Sequence, residues 1–451
     1  MRRVLTAAAV ASFLAGSAAA QSPSLIEYFA DGAQAEAAGD AASAALAALK
    51  ANPAVSDIAL GRIAPAAADG AAGFSIALPA GAGAINFTAL DLGPASTAGR
   101  VLVAESAADG SRLTAVLGDS GATGTLRTPR GLYKMAPMGD GTTAVYRFET
   151  AGLADHPPAG APVPEAVTRD RAAPDDGAPP ETTEAGKTRL DVIVAYTPDA
   201  ATEVADIDAL IALAVKETND IYDASGIPAE IRLVHSYRTD YNGPEDMALD
   251  LRRFREPDDG TMDEVHALRD RHGADLAVLI VSQNKNACGY GYIDAAEDRA
   301  FSVVAQHCAT GYYSFAHEIG HNLGAFHDIA QGRNARYPYG HGYCNSRNGE
   351  EGGWRTVMSY ASDNCDDRLP VFSRAEPLNG VRFGDAGTMD NARLHRETVD
   401  RASRFRGAPG GSGAPRTGTG TGSVSLTDTP NFGVGEGGEG QPKGAQGIVF
   451  E

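Results

Sequence analysis

The chain has 451 residues, enough for two domains with additional segments, and 43% of them are hydrophobic, so a sizeable core is available. A formal net charge of −20 and a pI near 4.9 argue against nucleic acid or an anionic membrane as a partner, because both repel such a surface. The acidity is read as solubility in a salty exterior.

Residues 1–20 have the form of a secretory signal, with Arg2 and Arg3 as the positive start, an apolar run over 4–14 and Ala18-Ala19-Ala20 as a cleavage site before Gln21. The run is too short to span a bilayer, and no later stretch is long and apolar enough. An exported mature protein, secreted or periplasmic, with no membrane partner is therefore expected. From 21 to about 65 the chain is Ala-rich and helix-prone, as over 33–49. Between 74 and 149 short alternating runs split by Gly, Asp and Pro predict a small antiparallel β domain: 74–78, 84–90, 100–105, 112–117, 132–136 and 144–148. Residues 155–187 are dense in Pro, Ala and acidic side chains and are read as an exposed linker.

A buried strand is predicted over 190–196 (L-D-V-I-V-A-Y) and a helix over 201–225, stopped by Gly226-Ile227-Pro228. A second strand follows over 231–237, then two shorter helices over 247–254 and 262–272. The near-continuous apolar run 275–281 reads as a central strand covered on both faces. Residues 300–308 read as a further strand. Helix 390–406 closes the globular part, and the Gly-, Thr- and Pro-rich tail 407–451 cannot bury a core and is read as disordered.

Residues 314–328 read S-F-A-H-E-I-G-H-N-L-G-A-F-H-D. His317 and His321 are four apart, so on a helix both imidazoles project from one face with Glu318 beside them as a base. Gly324 lets the helix end in a left-handed turn, after which the chain can bring His327 to the same ion. Catalytic zinc sites usually take three protein ligands and leave a fourth position to water.

The run His317-Glu318-Ile319-Gly320-His321-Asn322-Leu323-Gly324-Ala325-Phe326-His327 resembles the signature of the metzincin zinc metallopeptidases, and Val357-Met358-Ser359-Tyr360 resembles their downstream Met-turn. Asp328 after the third histidine is similar to the adamalysin or reprolysin branch, whereas the Tyr360 that follows the turn looks more like serralysins and astacins. The resemblance covers roughly 188–406. It implies an α+β fold: an α/β-type catalytic domain with a mixed, mostly parallel twisted sheet and a zinc-binding helix, preceded by a small β-rich prodomain. The division that follows is 1–20 signal peptide, 21–154 propeptide, 155–187 linker, 188–406 catalytic domain and 407–451 tail. Residues 300–308 take the place of the edge strand that pairs with extended substrate in the family.

The implied activity is that of a secreted endopeptidase acting on protein or peptide substrates as a monomer. One zinc ion is held by His317, His321 and His327, Glu318 is the general base and Tyr360 a candidate for oxyanion stabilisation. Met358 is expected as packing support under the zinc, and Gly324 and Asp328 as structural residues. The alternative is a non-catalytic exported binding or adhesion module on the same fold, whose usual sign would be loss of the Glu or a ligand; neither is lost. Calcium at Asp363, Asp366 and Asp367 is the weaker reading beside a solvated acidic loop.

All four cysteines lie in the catalytic region, and an even count in an exported chain favours disulfides. Three pairings are open; Cys288 with Cys308 and Cys344 with Cys365 is the expected one, since each closes a short loop around the zinc helix or the Met-turn. No cysteine lies upstream of Cys288. Latency by a cysteine switch is thus excluded, and inhibition must come from a carboxylate, a backbone segment or steric cover. His341, in Tyr339-Gly340-His341-Gly342, is the other histidine with a claim to function.

Overall fold

The computed structural model describes residues 22–29, 40–65, 73–155, 181–283, 285–331, 336–347, 350–361 and 365–406. The signal segment, most of the expected linker and the tail lie outside the described residues. Helices and strands are mixed, and no helix of the described residues is long and apolar enough to cross a membrane.

The N-terminal unit is a nine-stranded sheet in which every neighbouring pair is antiparallel, running in space from Ile26–Tyr28 through Val55–Ile63, Thr142–Phe148 and Gly131–Pro137 to Gly121–Thr128. It continues through Arg112–Gly118, Gly99–Glu105 and Ala84–Ser96 to Phe74–Ala77. Three of these strands were not expected. Val55–Ile63 falls in the stretch read as helix-prone, where the helix stops at Ala51. Its alternation is interrupted by Asp57 at φ 53° and by a register shift against Thr142–Phe148, so the period-2 signal is lost in sequence while the pairing survives.

In the second unit the sheet order is Ala229–Arg238, Thr188–Tyr196, Leu276–Val281, Phe301–Ala305 and Gly289–Gly291. The first four strands are parallel and the last is antiparallel. All six residues of Leu276–Val281 are buried, as a strand covered on both faces requires. Phe301–Ala305 lies inside the sheet, not at its edge. Gly289–Gly291, which folds back against it, is the edge strand, and this corrects the expectation for 300–308.

The predicted helix 201–225 is two helices. Thr197 caps Pro198–Glu203, Val204 is extended, and Asp206 accepts from the Ala209 amide to start Ile207–Ser225, which Gly226 ends at φ 69°. Asn391–Ala402 closes the unit under an Asp390 cap. The two units share a buried cluster in which Leu132, Ala144 and Phe148 pack with Cys288, Cys308 and Tyr312. The Lys134 ammonium, from the N-terminal sheet, donates to the carbonyls of His307 at 2.9 Å and Thr310 at 3.1 Å.

Candidate metal centre

Tyr313, in the left-handed conformation at φ 63°, turns the chain into helix Ser314–Asn322, all nine residues of which are buried. Spacing of four puts His317 and His321 on one face with ring centroids 4.7 Å apart. The helix ends at Asn322; Gly324 takes φ 106°, its amide donates to the His321 carbonyl at 2.8 Å, and three residues later His327 returns to the same point. Its ring lies 4.6 Å from that of His321 and 5.4 Å from that of His317. One ring nitrogen from each of the three lies within 4.8 Å of the others.

The opposite ring atoms set the tautomers. His317 Nδ1 faces the Val357 carbonyl at 2.7 Å and His321 Nδ1 the Ala325 carbonyl at 2.8 Å. A carbonyl only accepts, so Nδ1 carries the proton and Nε2 presents a lone pair to the centre. Burial pushes the His321 imidazole down to about 4, keeping it neutral and competent to ligate at neutral pH. The Nε2 atoms of His321 and His327 face each other at 2.9 Å. Three buried imidazoles aimed at one point are a donor set for a borderline-soft divalent cation.

Glu318 is buried, and burial raises its carboxyl well above the usual range, opposed by the Arg368 charge. Its Oε2 has no hydrogen-bond partner among the described residues. It fits only because the edge strand is bare there: a Cβ on Gly289 would lie 2.2 Å from Oε1, and one on Gly291 3.0 Å from Oε2.

Below the helix, Ser359 donates its amide to the Thr356 carbonyl at 3.1 Å to close the methionine turn. Met358 is fully buried, with Sδ 2.7 Å from where a Gly320 Cβ would stand. Asp328 Oδ2 accepts from Ser359 Oγ at 3.2 Å and the Tyr360 amide at 3.0 Å, tying the third histidine's segment to the turn. The Tyr360 ring lies 4.0 Å from that of His327, and burial holds its phenol well above its ordinary pKa, so it is a neutral donor. His341 is buried with Nδ1 on the His327 carbonyl at 2.8 Å and is not one of the converging nitrogens. The disulfides join Cys288 to Cys308 and Cys344 to Cys365; the first fastens the start of the edge strand to the loop before the histidine helix.

Four residues beside this centre carry no motif. Arg355 and Arg368 are buried against Tyr312, with guanidinium carbons 5.4 and 4.3 Å from its ring centre. Both pair with Asp155, which is itself buried and so does not open an exposed linker.

The family model described as Metallo-peptidase family M12 (Reprolysin_5) matches residues 186–373. Relatives named peptidyl-Asp metalloendopeptidase include one from Stenotrophomonas maltophilia (strain K279a), 34% identical over 306 residues that make up 66% of this chain and 71% of the relative. Another, from Xanthomonas campestris pv. campestris, is 34% identical over 63% of this chain and 67% of its own. A solved structure of metalloproteinase-II from Bacteroides fragilis is 15% identical with a TM-score of 0.41, covering 73% of this chain and 92% of that one, a likeness too distant to bear on the assignment. On the family match and the two relatives, this chain belongs to metallo-peptidase family M12 and is a metalloendopeptidase of the reprolysin-like kind that its histidine motif resembles.

Proposed function

We propose that the chain is an exported zinc endopeptidase of metzincin architecture that cleaves proteins beside aspartate, held latent by its N-terminal sheet as a prodomain. The observation that carries the chemistry is the buried Glu318 carboxylate against a bare edge strand, one residue along the helix from the first of three converging imidazoles. The five-stranded sheet with one antiparallel edge, followed by the histidine helix, supports the metzincin reading. The aspartate preference is supported by the names of the relatives, and export by the signal-like 1–20 and the two disulfides.

His317, His321 and His327 would hold the ion, with Nδ1 hydrogen bonds fixing two of the rings. Bound there, zinc supplies Lewis acidity that activates a water and polarises the scissile carbonyl. Glu318 takes the proton from the attacking water and returns it to the leaving nitrogen; burial raises its carboxyl above the usual range, which makes the carboxylate a stronger base. Tyr360, whose phenol burial keeps protonated and whose ring lies 4.0 Å from that of His327, would be a donor for the developing oxyanion. Main-chain groups of Gly289–Gly291 would hold the substrate backbone.

Glu318→Gln tests this: hydrolysis of denatured casein should fall by at least 10³-fold while zinc content, by elemental analysis, stays near one per chain. Full activity in that variant would remove Glu318 as the base.

A further inference from the structure

The Asp155 carboxylate comes from the end of the N-terminal unit, yet its partners belong to the second. Arg355 Nη1 donates to Oδ2 at 3.2 Å and Arg368 Nη2 to Oδ1 at 2.5 Å, one guanidinium for each oxygen. Among the described residues neither arginine pairs with any other carboxylate. Their remaining contacts are neutral: Arg355 donates to the Ser359 carbonyl at 2.7 Å and the Tyr312 hydroxyl at 2.9 Å, and Arg368 to the Tyr312 carbonyl at 3.0 Å. The two buried cations thus share one directly bonded carboxylate, and a buried charge without its partner is strongly disfavoured. Fixed side chains in this arrangement form a site for an anion.

The site adjoins the metal centre. Arg355 holds the carbonyl of the methionine turn, and the Arg368 charge is felt by both Glu318 and His321. Main chain is engaged as well: Cys288 donates its amide to the Ala154 carbonyl at 2.7 Å and Gly289 to the Asp155 carbonyl at 3.1 Å. The segment therefore lies on the edge strand with its acidic side chain in a pocket, the two contacts by which an extended peptide is read. From the other side Arg127 of the N-terminal sheet donates to the Arg368 carbonyl at 2.7 Å, keeping the units registered.

We propose that Arg355 and Arg368, packed on Tyr312, form the pocket that receives the side-chain carboxylate of a substrate aspartate, and that Asp155 is its resident occupant before substrate enters. The proposal rests on the peptidase reading and deepens it by naming the side chains that discriminate. Asparagine has the same shape but no charge, so it leaves two buried guanidiniums uncompensated. Sites built to bond a group reject analogues lacking it far more strongly than apolar pockets reject a methylene.

The test uses the full chain in two arms. In the binding arm, Glu318→Gln combined with Asp155→Ala abolishes turnover and empties the pocket. Calorimetry with two extended peptides differing only in Asp or Asn should then give a Kd at least tenfold lower for the aspartate peptide, and equal affinities overturn the pocket. In the turnover arm, Asp155→Ala alone should hydrolyse the aspartate peptide at least tenfold faster than the intact wild-type chain; a folded variant that is no faster overturns the occupancy. A readout free of folding effects is the set of bonds that wild-type chain cleaves in denatured casein: these should fall beside Asp, and cleavage with no preference for Asp overturns the proposal. If Asp155→Ala hydrolyses nothing while the double variant still prefers the aspartate peptide, the pocket stands and the peptidase reading falls. Hydrolysis without aspartate preference has the reverse meaning.

Discussion

Replacing Gly289 by alanine is the sharpest steric test of how the base is held. Gly289 has no left-handed backbone requirement, so the variant adds only a methyl carbon, built 2.2 Å from Oε1, 2.7 Å from Cδ and 2.8 Å from Cγ of Glu318. Because Cγ is included, no rotation of the carboxylate relieves the clash. An ordinary contact of about 3.5 Å needs the side chain to move by about 1.3 Å. Displacement of that size costs on the order of 10²-fold in rate, and overpacking a buried site costs about 1–3 kcal/mol of stability. Gly291→Ala, with its nearest Glu318 atom at 3.0 Å, needs only about 0.5 Å and should lose much less. The assay is kcat on a quenched fluorogenic aspartate peptide, with zinc content and thermal midpoint measured in parallel. Wild-type kcat in Gly289→Ala, or a larger loss in Gly291→Ala, would refute the placement of the carboxylate against the edge strand.

Asp328→Ala strips the Tyr360 amide and the Ser359 hydroxyl of their acceptor; the expected cost is about 3 kcal/mol, read as a lowered denaturant midpoint, and an unchanged midpoint would count against the tie. Removing the ion with a chelator should abolish hydrolysis and lower the thermal midpoint, with recovery on adding zinc back, since an ion bound only by the folded state stabilises it. Stability should also fall on acidification. His395, fully buried against Tyr222 and Phe372, has its imidazole pushed down to about 3 by burial. The unfolded chain binds a proton near 6.5 that the folded chain refuses, so the stabilisation is full above 6.5 and is lost progressively towards 3. At pH 5 the loss is about 2 kcal/mol. His395→Leu should flatten the midpoint's slope between pH 7 and 5; an identical slope would exclude this group as its source.

Which parts of this were legible in the chain follows from the range of the interactions. His317 and His321 meet through one helical turn, and Gly324 and His327 follow within six residues, so spacing alone places them. Asp206 and Val204 divide the predicted helix 201–225 by a cap that is visible in sequence, but the apolar periodicity on both sides masks it. Gly289–Gly291 escaped notice as the edge because a three-residue Gly-Tyr-Gly strand has neither β-branched side chains nor alternation. Arg355 and Arg368 lie 200 and 213 residues from Asp155, and no local pattern links a guanidinium to a carboxylate at that distance. Asp155 also sits at the start of a proline-rich acidic stretch, where composition points to solvent while its two partners draw it inside.

The brevity of that edge strand has a consequence for turnover. Three residues offer few rungs, so a bound chain gains little affinity from main-chain pairing alone, and most of its residence time must come from whatever side chain is gripped. If the proposed pocket grips one residue, the fragment without it would have little left to hold it once the bond is cut and would depart first. A longer ladder would bind more sequences more tightly and release each more slowly, and it would offer a second copy of the protein an open flank to pair with. A short flank with a strong anchor favours an enzyme that samples unfolded chains rapidly and stays only where the anchor finds its match.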